Sequence, residues 1–439
     1  MALREHAEWG MRVVELKPGL VLAQEVRDVN GRLLMVRGMR LSDRSIGVLK
    51  AWGVAEVVIE GEPARALSDP GDPGVDISKD LIVKAQNIAA ARLARSDLAH
   101  LFVQDVFRLA ASRIAACLAR GESVEPPAVR GASPDSGRLQ VTSDAGRPVL
   151  AAETLEPLDM DRLAAGDLAL GAKPEVLSLL AQAMENPSAS ALEVADIIQN
   201  DPGLTAKLLK MVNSALYGFP QRIDTISRAV TVIGVQQLSA LALGVTVMDM
   251  FKDIPGNLLD VGRFWRHCLA CACGSRVLAS ALGLPNTERF FVAGLLHDVG
   301  LLLLILHAPA HVRQVLASMR ENGEEFIAAE RAILGADHAM VGGALLSGWK
   351  LPPSLVAAVE WHHAPLAAAN PRDAAIVHTA DFLAEALMFG SCGQSVIMPL
   401  ELAAFDQLMA PAGVAATVFT RVEDQLGQLE TIFTPHAAD

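Results

Sequence analysis

The chain has 439 residues, of which 51% are hydrophobic and only 4% aromatic, and its formal net charge is -13 at pH 7. This length favours two or three domains over a single core. Abundant small aliphatic residues and a single Tyr argue against an all-β protein, because strands favour aromatic residues. The acidic balance argues against general binding of nucleic acid.

The N-terminal residues 1–61 predict a small β-rich (α/β) module. The segments "MRVVEL", "LVLAQEV" and "RLLMVRG" alternate in the manner of strands. Asn30-Gly31, between the last two segments, is a strong signal for a hairpin turn. Ser42 can cap a short helix that reaches Trp52, and "AEVVIE" predicts a closing strand.

The remainder of the chain predicts a mainly α protein that is divided by two loose segments. Residues 62–78 are rich in Pro, Gly and Asp and indicate a linker, and residues 121–154 indicate a second, flexible linker. Apolar residues at helical spacing predict a helical segment over residues 79–120, with a break near Ser96-Asp97, a larger helical domain over residues 155–385 and a C-terminal helical extension over residues 386–439.

A strongly apolar run from Phe290 to Leu306 contains His297 and Asp298 at its middle. The run is shorter than the roughly 20 residues that span a bilayer, and an Asp at the centre of a span costs about 3 kcal/mol. We therefore predict a buried core helix and no membrane association. A buried carboxylate is costly unless it is paired or bound to a metal, so Asp298 requires partners from elsewhere in the chain.

The opening "MALREHAEWG" lacks the features of a signal peptide, so we expect a cytoplasmic protein with reduced thiols. Cys268, Cys271 and Cys273 are spaced like a metal cluster. However, their spacing of about one turn, their Ala-rich context and the lack of a second pair favour small residues in helix packing.

Histidines and aspartates recur on predicted helices of the second half. A lone His in such a place is more often a hydrogen-bonded core residue than a ligand, so these residues gain weight only as a set. His378, three residues before Asp381, could support a ligand from outside the set. The candidate metal ligands are His267, His297, Asp298, His338, His362, His363 and Asp381.

Imidazole and carboxylate ligands together suit iron, manganese or zinc. Neighbouring residues on a helix point about 100° apart, so His297 and Asp298 could serve different ions, or Asp298 could bridge two. Seven ligands are enough for two ions with open positions for water, an arrangement suited to attack on a phosphodiester. Asp298 is the residue that we expect any catalysis to require.

These motifs resemble the HD superfamily of metal-dependent phosphohydrolases. The segments "IIQNDPGLTAKLLKMVNSALYG", "IDTISRAVTVIGVQQLSALAL", "LLHDVG" and "HAMVGGALLSGWKLPPSLVAAVEWHHAP" are similar to the signature of the HDOD domain. That domain is a helical relative found in bacterial signalling proteins. The resemblance covers roughly residues 160–385, and it implies a helical HDOD domain with a regulatory role.

The N-terminal module resembles one that often precedes HD-GYP phosphodiesterases, which hydrolyse cyclic di-GMP. The chain departs from that family at three places. Leu301 stands where the family carries Lys, Arg263 stands where it tends to carry an acid, and "HHAPLAAANPRD" replaces the GYP loop. The resemblance therefore does not support hydrolysis of cyclic di-GMP.

Two main functions follow from this pattern. The first is a regulatory HDOD protein that acts through signalling protein partners or a nucleotide ligand, with a homodimer as one expected state. The second is a metal-dependent phosphohydrolase acting on a nucleotide or cyclic dinucleotide. A third, less favoured reading is nucleotide sensing at "RLSD", Arg40 to Asp43, which matches a short pattern of cyclic di-GMP inhibitory sites.

Overall fold

The computed structural model describes parts of residues 8–60, residues 78–122 and 124, and residues 174–433 except 187, 215–216, 218, 220, 257, 323 and 391–396. The chain forms two compact units. One contains residues 1–75 and 210–223, and the other contains residues 76–209 and 224–439. The described residues are mainly helical, which confirms the fold class expected from the composition.

The N-terminal residues of the smaller unit contain two pairs of antiparallel strands. The strands are β1 (Glu8–Arg12), β2 (Val26–Arg27), β3 (Leu33–Met35) and β4 (Glu56–Glu60). β1 pairs with β4, and β2 pairs with β3. Leu22, Leu49 and Ile59 are fully buried in the core between them. The predicted turn at Asn30-Gly31 lies outside the described residues, although the two strands that flank it do pair.

The described helices follow in chain order: α1 (Lys79–Arg92), α2 (Leu101–Ala119), α3 (Pro174–Glu185), α4 (Ala191–Gln199), α5 (Pro202–Val212), α6 (Ile226–Ile233), α7 (Val235–Met250), α8 (Val261–Ala281), α9 (Glu288–Leu296), α10 (Val299–His307), α11 (Pro309–Asn322), α12 (Phe326–Leu334), α13 (His338–Gly348), α14 (Pro353–Glu360), α15 (Pro371–Ala386), α16 (Leu402–Leu408) and α17 (Val414–Phe433). Most of the two predicted linkers lies outside the described residues, and the domain boundaries stay predictions.

Helices α1 and α2 form a helical hairpin, with the break where the sequence predicted it. The hydroxyl of Ser78 accepts a hydrogen bond from the backbone N–H of Leu81 and so caps α1. In the turn, Asp97 Oδ1 accepts a hydrogen bond of 2.8 Å from the backbone N–H of Ala99. Ser78 thus supplies an acceptor for an N–H group that the start of α1 leaves without a partner, and Asp97 stabilises the turn between the two helices.

The apolar run around the His-Asp pair is buried, but it is not one continuous helix. Glu288–His307 is long and apolar enough to cross a membrane, yet 89% of its most apolar window is buried inside the protein. α9 ends before His297 and α10 begins after Asp298. The expectation that these two residues lie on one continuous helix is therefore wrong. His297 Nδ1 donates to the carbonyl of Gly294, which a continuous helix would pair with the N–H of Asp298.

Two glycines allow the helices around this break to approach one another closely. A Cβ atom at Gly294 would lie 2.7 Å from the carbonyl oxygen of Cys271 on α8. A Cβ atom at Gly300 would lie 2.0 Å from the carbonyl oxygen of His338 on α13. Since the obstacle is backbone in both cases, no change of rotamer can relieve it. These contacts hold α8, α9, α10 and α13 around one buried centre.

Candidate metal centre

The structure brings all seven candidate ligands together in the larger unit. His267 comes from α8, the His297-Asp298 pair from the break between α9 and α10, and Asp381 from α15. His338 begins α13, and His362-His363 follow α14. Within each of three overlapping groups, the ligand atoms lie within 4.8 Å of one another. We refer to these seven residues as the histidine–aspartate cluster.

The carboxylate of Asp298 lies between two groups of imidazoles. Its Oδ1 is 3.1 Å from Nε2 of His338 and 3.7 Å from Nε2 of His362. Its Oδ2 is 3.3 Å from Nε2 of His297 and 3.8 Å from Nε2 of His267. A carboxylate in this position can serve one ion with each oxygen.

The remaining ligands complete each group. Asp381 Oδ1 lies 3.1 Å from Nε2 of His267 and 3.7 Å from Nε2 of His297. On the other side of Asp298, Nε2 of His363 lies 2.8 Å from Nε2 of His338. One group thus combines two imidazoles with two carboxylates, and the other combines three imidazoles with one carboxylate.

The shorter separations between a carboxylate oxygen and an imidazole nitrogen, 3.1 to 3.3 Å, are those of atoms that share an ion. Ligand atoms at about 2.0–2.1 Å from one ion, with angles near 90–110°, lie about 2.9–3.4 Å from each other. His267 Nε2 and His297 Nε2 are 3.2 Å apart, which falls within that range. The donor set of imidazole and carboxylate suits iron, manganese or zinc.

Hydrogen bonds from Nδ1 to backbone carbonyls orient two of the histidines with Nε2 toward the centre. The Nδ1 atom of His297 pairs with the carbonyl of Gly294 at 2.8 Å, and that of His362 with the carbonyl of Val359 at 2.7 Å. A carbonyl can only accept, so each Nδ1 carries a proton, and each Nε2 offers a lone pair whenever the ring is neutral. This arrangement is usual for metal-binding histidines.

His362 Nε2 supplies the clearest test of whether an ion fits. It is buried and has no hydrogen-bond partner among the described residues, and its nearest carboxylate oxygen is that of Asp298, 3.7 Å away. A buried acceptor without a partner costs about 1–3 kcal/mol. A metal ion would use this lone pair, so the residues present fit a bound metal.

The electrostatic interactions within the cluster also favour a bound cation. Burial alone would raise the pKa of Asp298, but the neighbouring imidazoles of His297 and His338 hold it well below its usual value. Burial alone would lower the pKa of His297, and the carboxylates of Asp298 and Asp381 raise it well above that value. Burial and the charge of His297 lower the pKa of His362 to about 4, so His362 is neutral near pH 7. The ionised carboxylates therefore need balancing cations, which protons or metal ions can supply.

Three residues outside the predicted set support the cluster. Glu330 Oε2 lies 2.7 Å from Nδ1 of His338, and its helical spacing from buried Phe326 and Leu334 could have indicated that it faces the interior. His378, which the sequence suggested as a supporting residue, pairs through Nδ1 with the carbonyl of His362 at 2.8 Å. Glu385 lies one turn after Asp381 on α15 and faces His267, and no spacing pattern identifies it.

A small cavity adjoins the cluster. Three of the ligands line it, namely Asp298, His363 and Asp381. The side chain of Asp381 is 15% exposed, whereas that of Asp298 is 3% exposed. The cluster is thus nearly closed to solvent and reachable at one edge.

The sequence analysis also singled out residues that are not candidate ligands. Cys268, Cys271 and Cys273 are buried free thiols on α8, as expected of helix-packing residues. Leu301 is buried on α10, and Arg263 is exposed on α8. In "RLSD", Arg40 Nη1 donates to the carbonyl of Gly19 at 3.1 Å, and Asp43 lies outside the described residues.

Residues 170–365 match the HDOD domain family. An uncharacterized protein of Treponema pallidum is 25% identical over 191 residues, which are 43% of this chain and 37% of that protein. The chain thus matches well under two thirds of that relative's length.

Two solved structures share the fold. An HDOD domain protein of unknown function from Geobacter sulfurreducens is 24% identical, with a TM-score of 0.52. A candidate phosphohydrolase from Shewanella amazonensis is 23% identical, with a TM-score of 0.51. Each likeness covers 63% of this chain and 98% of the other.

Proposed function

Because residues 170–365 form an HDOD domain, we propose that this chain is a bacterial signalling protein whose histidine–aspartate cluster holds two divalent transition-metal ions. One observation carries the proposal: six other ligand side chains gather around the buried Asp298, and its oxygens lie 3.3 and 3.1 Å from the nearest imidazole nitrogens on its two sides, as atoms that share ions do. Iron, manganese and zinc suit these ligands. The protein would act in the cytoplasm, without binding membrane or nucleic acid.

A regulatory role suits the nearly closed site. His267, His297 and His362 are fully buried, and Asp298 is 2% exposed. Metal ions in such surroundings can stabilise one arrangement of the helices, and that arrangement can be recognised by a signalling protein or a second copy of the chain. Leu301 stands at the position where the HD-GYP family carries Lys, so this position offers no cationic side chain to bind a phosphate.

Hydrolysis of a phosphodiester or nucleotide is the second candidate, and the cavity favours it. Asp298, His363 and Asp381 reach its wall, so a ligand group in the cavity would meet the cluster. Bound ions would polarise a phosphoryl oxygen and lower the pKa of a water molecule. Asp298 and Asp381 would then orient the ligand groups that lie against the cavity wall.

A measurement of catalytic turnover distinguishes the regulatory role from hydrolysis. Metal-loaded full-length protein would be assayed against cyclic dinucleotides, including cyclic di-GMP, and against nucleoside mono-, di- and triphosphates. The regulatory role predicts no turnover beyond that of an Asp298→Ala control. Turnover that Asp298→Ala abolishes would contradict it and establish the hydrolase.

A further inference from the structure

His267 differs from the best-supported histidines of the cluster in the surroundings of its Nδ1 atom. The Nδ1 atoms of His297, His338 and His362 each have a partner within 2.8 Å. His267 Nδ1 is buried and has no hydrogen-bond partner among the described residues. Its orientation is therefore the least constrained of these four.

Glu385 is placed to supply the missing support. Its Oε1 lies 3.8 Å from His267 Nδ1, somewhat beyond the upper limit of about 3.2 Å for a good hydrogen bond. Glu385 follows Asp381 by one turn on α15, so the two side chains share a face of that helix. A small movement of the Glu385 side chain would thus bring its carboxylate within hydrogen-bond distance of His267 Nδ1.

The α1–α2 hairpin holds Glu385 from the other side. Arg92, the last residue of α1, donates through Nη2 to the backbone carbonyl of Glu385 at 2.9 Å. The same Nη2 lies 4.0 Å from Oε2 of Glu385, and the side chains of Arg92 and Glu385 are 14% and 7% exposed. The carbonyl belongs to the last turn of α15, where a cation is favourable.

Other contacts fasten the hairpin without reaching the cluster. Arg113 on α2 pairs with Glu423 on α17, and its guanidinium lies 4.2 Å from the ring centroid of Phe389. Phe102 packs against Phe405 with ring centroids 4.1 Å apart. Among these anchors, Arg92 is the one whose partner faces a ligand of the cluster.

We propose that Arg92 is a positioning residue through which the α1–α2 hairpin controls His267, so that displacement of the hairpin weakens the metal site that contains His267 and Asp381. The hairpin precedes the residues that match the HDOD family. This inference rests on the proposed function, since it requires that the cluster bind metal.

The test compares full-length wild-type protein with Arg92→Gln, Arg92→Lys, Glu385→Gln and the control Arg113→Gln. Arg113→Gln removes a hairpin anchor whose partners, Glu423 and Phe389, make no hydrogen bond or ion pair with a cluster residue among the described residues. Competition with a chelator measures the affinity of each Co²⁺ site, the visible spectrum of Co²⁺ reports its ligand geometry, and thermal unfolding of the metal-free proteins reports their stability.

We expect Arg92→Gln and Glu385→Gln each to weaken one of the two Co²⁺ sites by about 10- to 100-fold and to change its spectrum. The other site should stay within about twofold of wild type. Arg92→Lys should recover part of the loss, because it keeps the cation. A variant that combines Arg92→Gln and Glu385→Gln should lose little more affinity than either single variant, since both changes act on the same support of His267. If Arg92→Gln does not fold, Arg92→Lys and Glu385→Gln carry the same comparison.

Unchanged affinity and spectrum in both Arg92→Gln and Glu385→Gln would overturn the inference. An equal loss in Arg113→Gln would also overturn it, because hairpin docking in general would then be the cause. Wild-type protein that binds no metal would contradict the proposed function and remove this inference with it. Wild-type protein with two sites that the Arg92 variants leave intact would contradict this inference alone.

Discussion

The Nε2 atoms of His267 and His297 lie 3.2 Å apart in the interior of the larger unit. The Nδ1 atom of His297 donates to a carbonyl, so in the neutral imidazole Nε2 carries a lone pair on the side of His267. Two imidazole nitrogens approach this closely when a proton or a metal ion lies between or beside them. The two carboxylates that face the same nitrogens make a metal ion a suitable occupant.

Asp298→Asn should remove metal from both halves of the cluster, because each carboxylate oxygen faces a different group of histidines. We expect the metal content to fall from about two equivalents to well below one. Elemental analysis of purified protein measures this. Asp373→Asn is the matched control, since Asp373 is also a buried Asp of the same unit but pairs with Arg289. Retention of two equivalents by Asp298→Asn would contradict the bridging role.

Metal affinity should increase with pH. Burial lowers the pKa of His267, His297 and His338, but nearby carboxylates more than compensate and raise all three. These imidazoles therefore hold a proton more readily in the metal-free protein than an ordinary histidine does, and they must lose it to bind an ion. His362, with its pKa lowered to about 4, contributes no proton near pH 7.

Calorimetric titration with Zn²⁺ in two buffers of different ionisation enthalpy measures the protons released. We expect the affinity to rise between about pH 6 and pH 8, with more than one proton released overall. An affinity that does not vary with pH, without proton release, would show that the imidazoles are already neutral.

Gly300→Ala should destabilise the protein by more than about 2 kcal/mol. The new Cβ would lie 2.0 Å from the carbonyl oxygen of His338 and 2.5 Å from the backbone nitrogen of Gly342, so α10 and α13 must separate. Denaturant unfolding measures the change. Gly427→Ala on α17 is the control, because its Cβ meets nothing within 4 Å and Ala favours the helix by about 1 kcal/mol. Equal stability of the two variants would contradict the close packing.

Part of the fold and of the candidate site could be predicted from the sequence, and part could not. Helical fold and the seven candidate ligands follow from apolar spacing and from the HDOD resemblance. The break between α9 and α10 does not, because it depends on His297 turning back to its own backbone. The role of Glu385 could not be predicted either, because its position beside His267 depends on the packing of α15 against α8. Local patterns do not encode such distant contacts.

Glu330→Gln should weaken metal binding by about 10-fold. The carboxylate accepts both the Nδ1–H and the backbone N–H of His338, and it is fully desolvated. A neutral amide is a weaker acceptor, so the imidazole of His338 becomes less well oriented and less basic. Chelator competition measures the loss. Glu325→Gln, an exposed residue paired with Arg95, should bind metal as wild type does, and an equal loss in this control would exclude a specific role for Glu330.

The metal content of the full-length wild-type protein tests the central claim most directly. The protein would be expressed with supplemented iron, manganese or zinc, purified without chelator and measured by elemental analysis. Seven converging ligands predict about two equivalents of transition metal per chain. Less than about a tenth of an equivalent after supplementation would contradict a metal site built on Asp298.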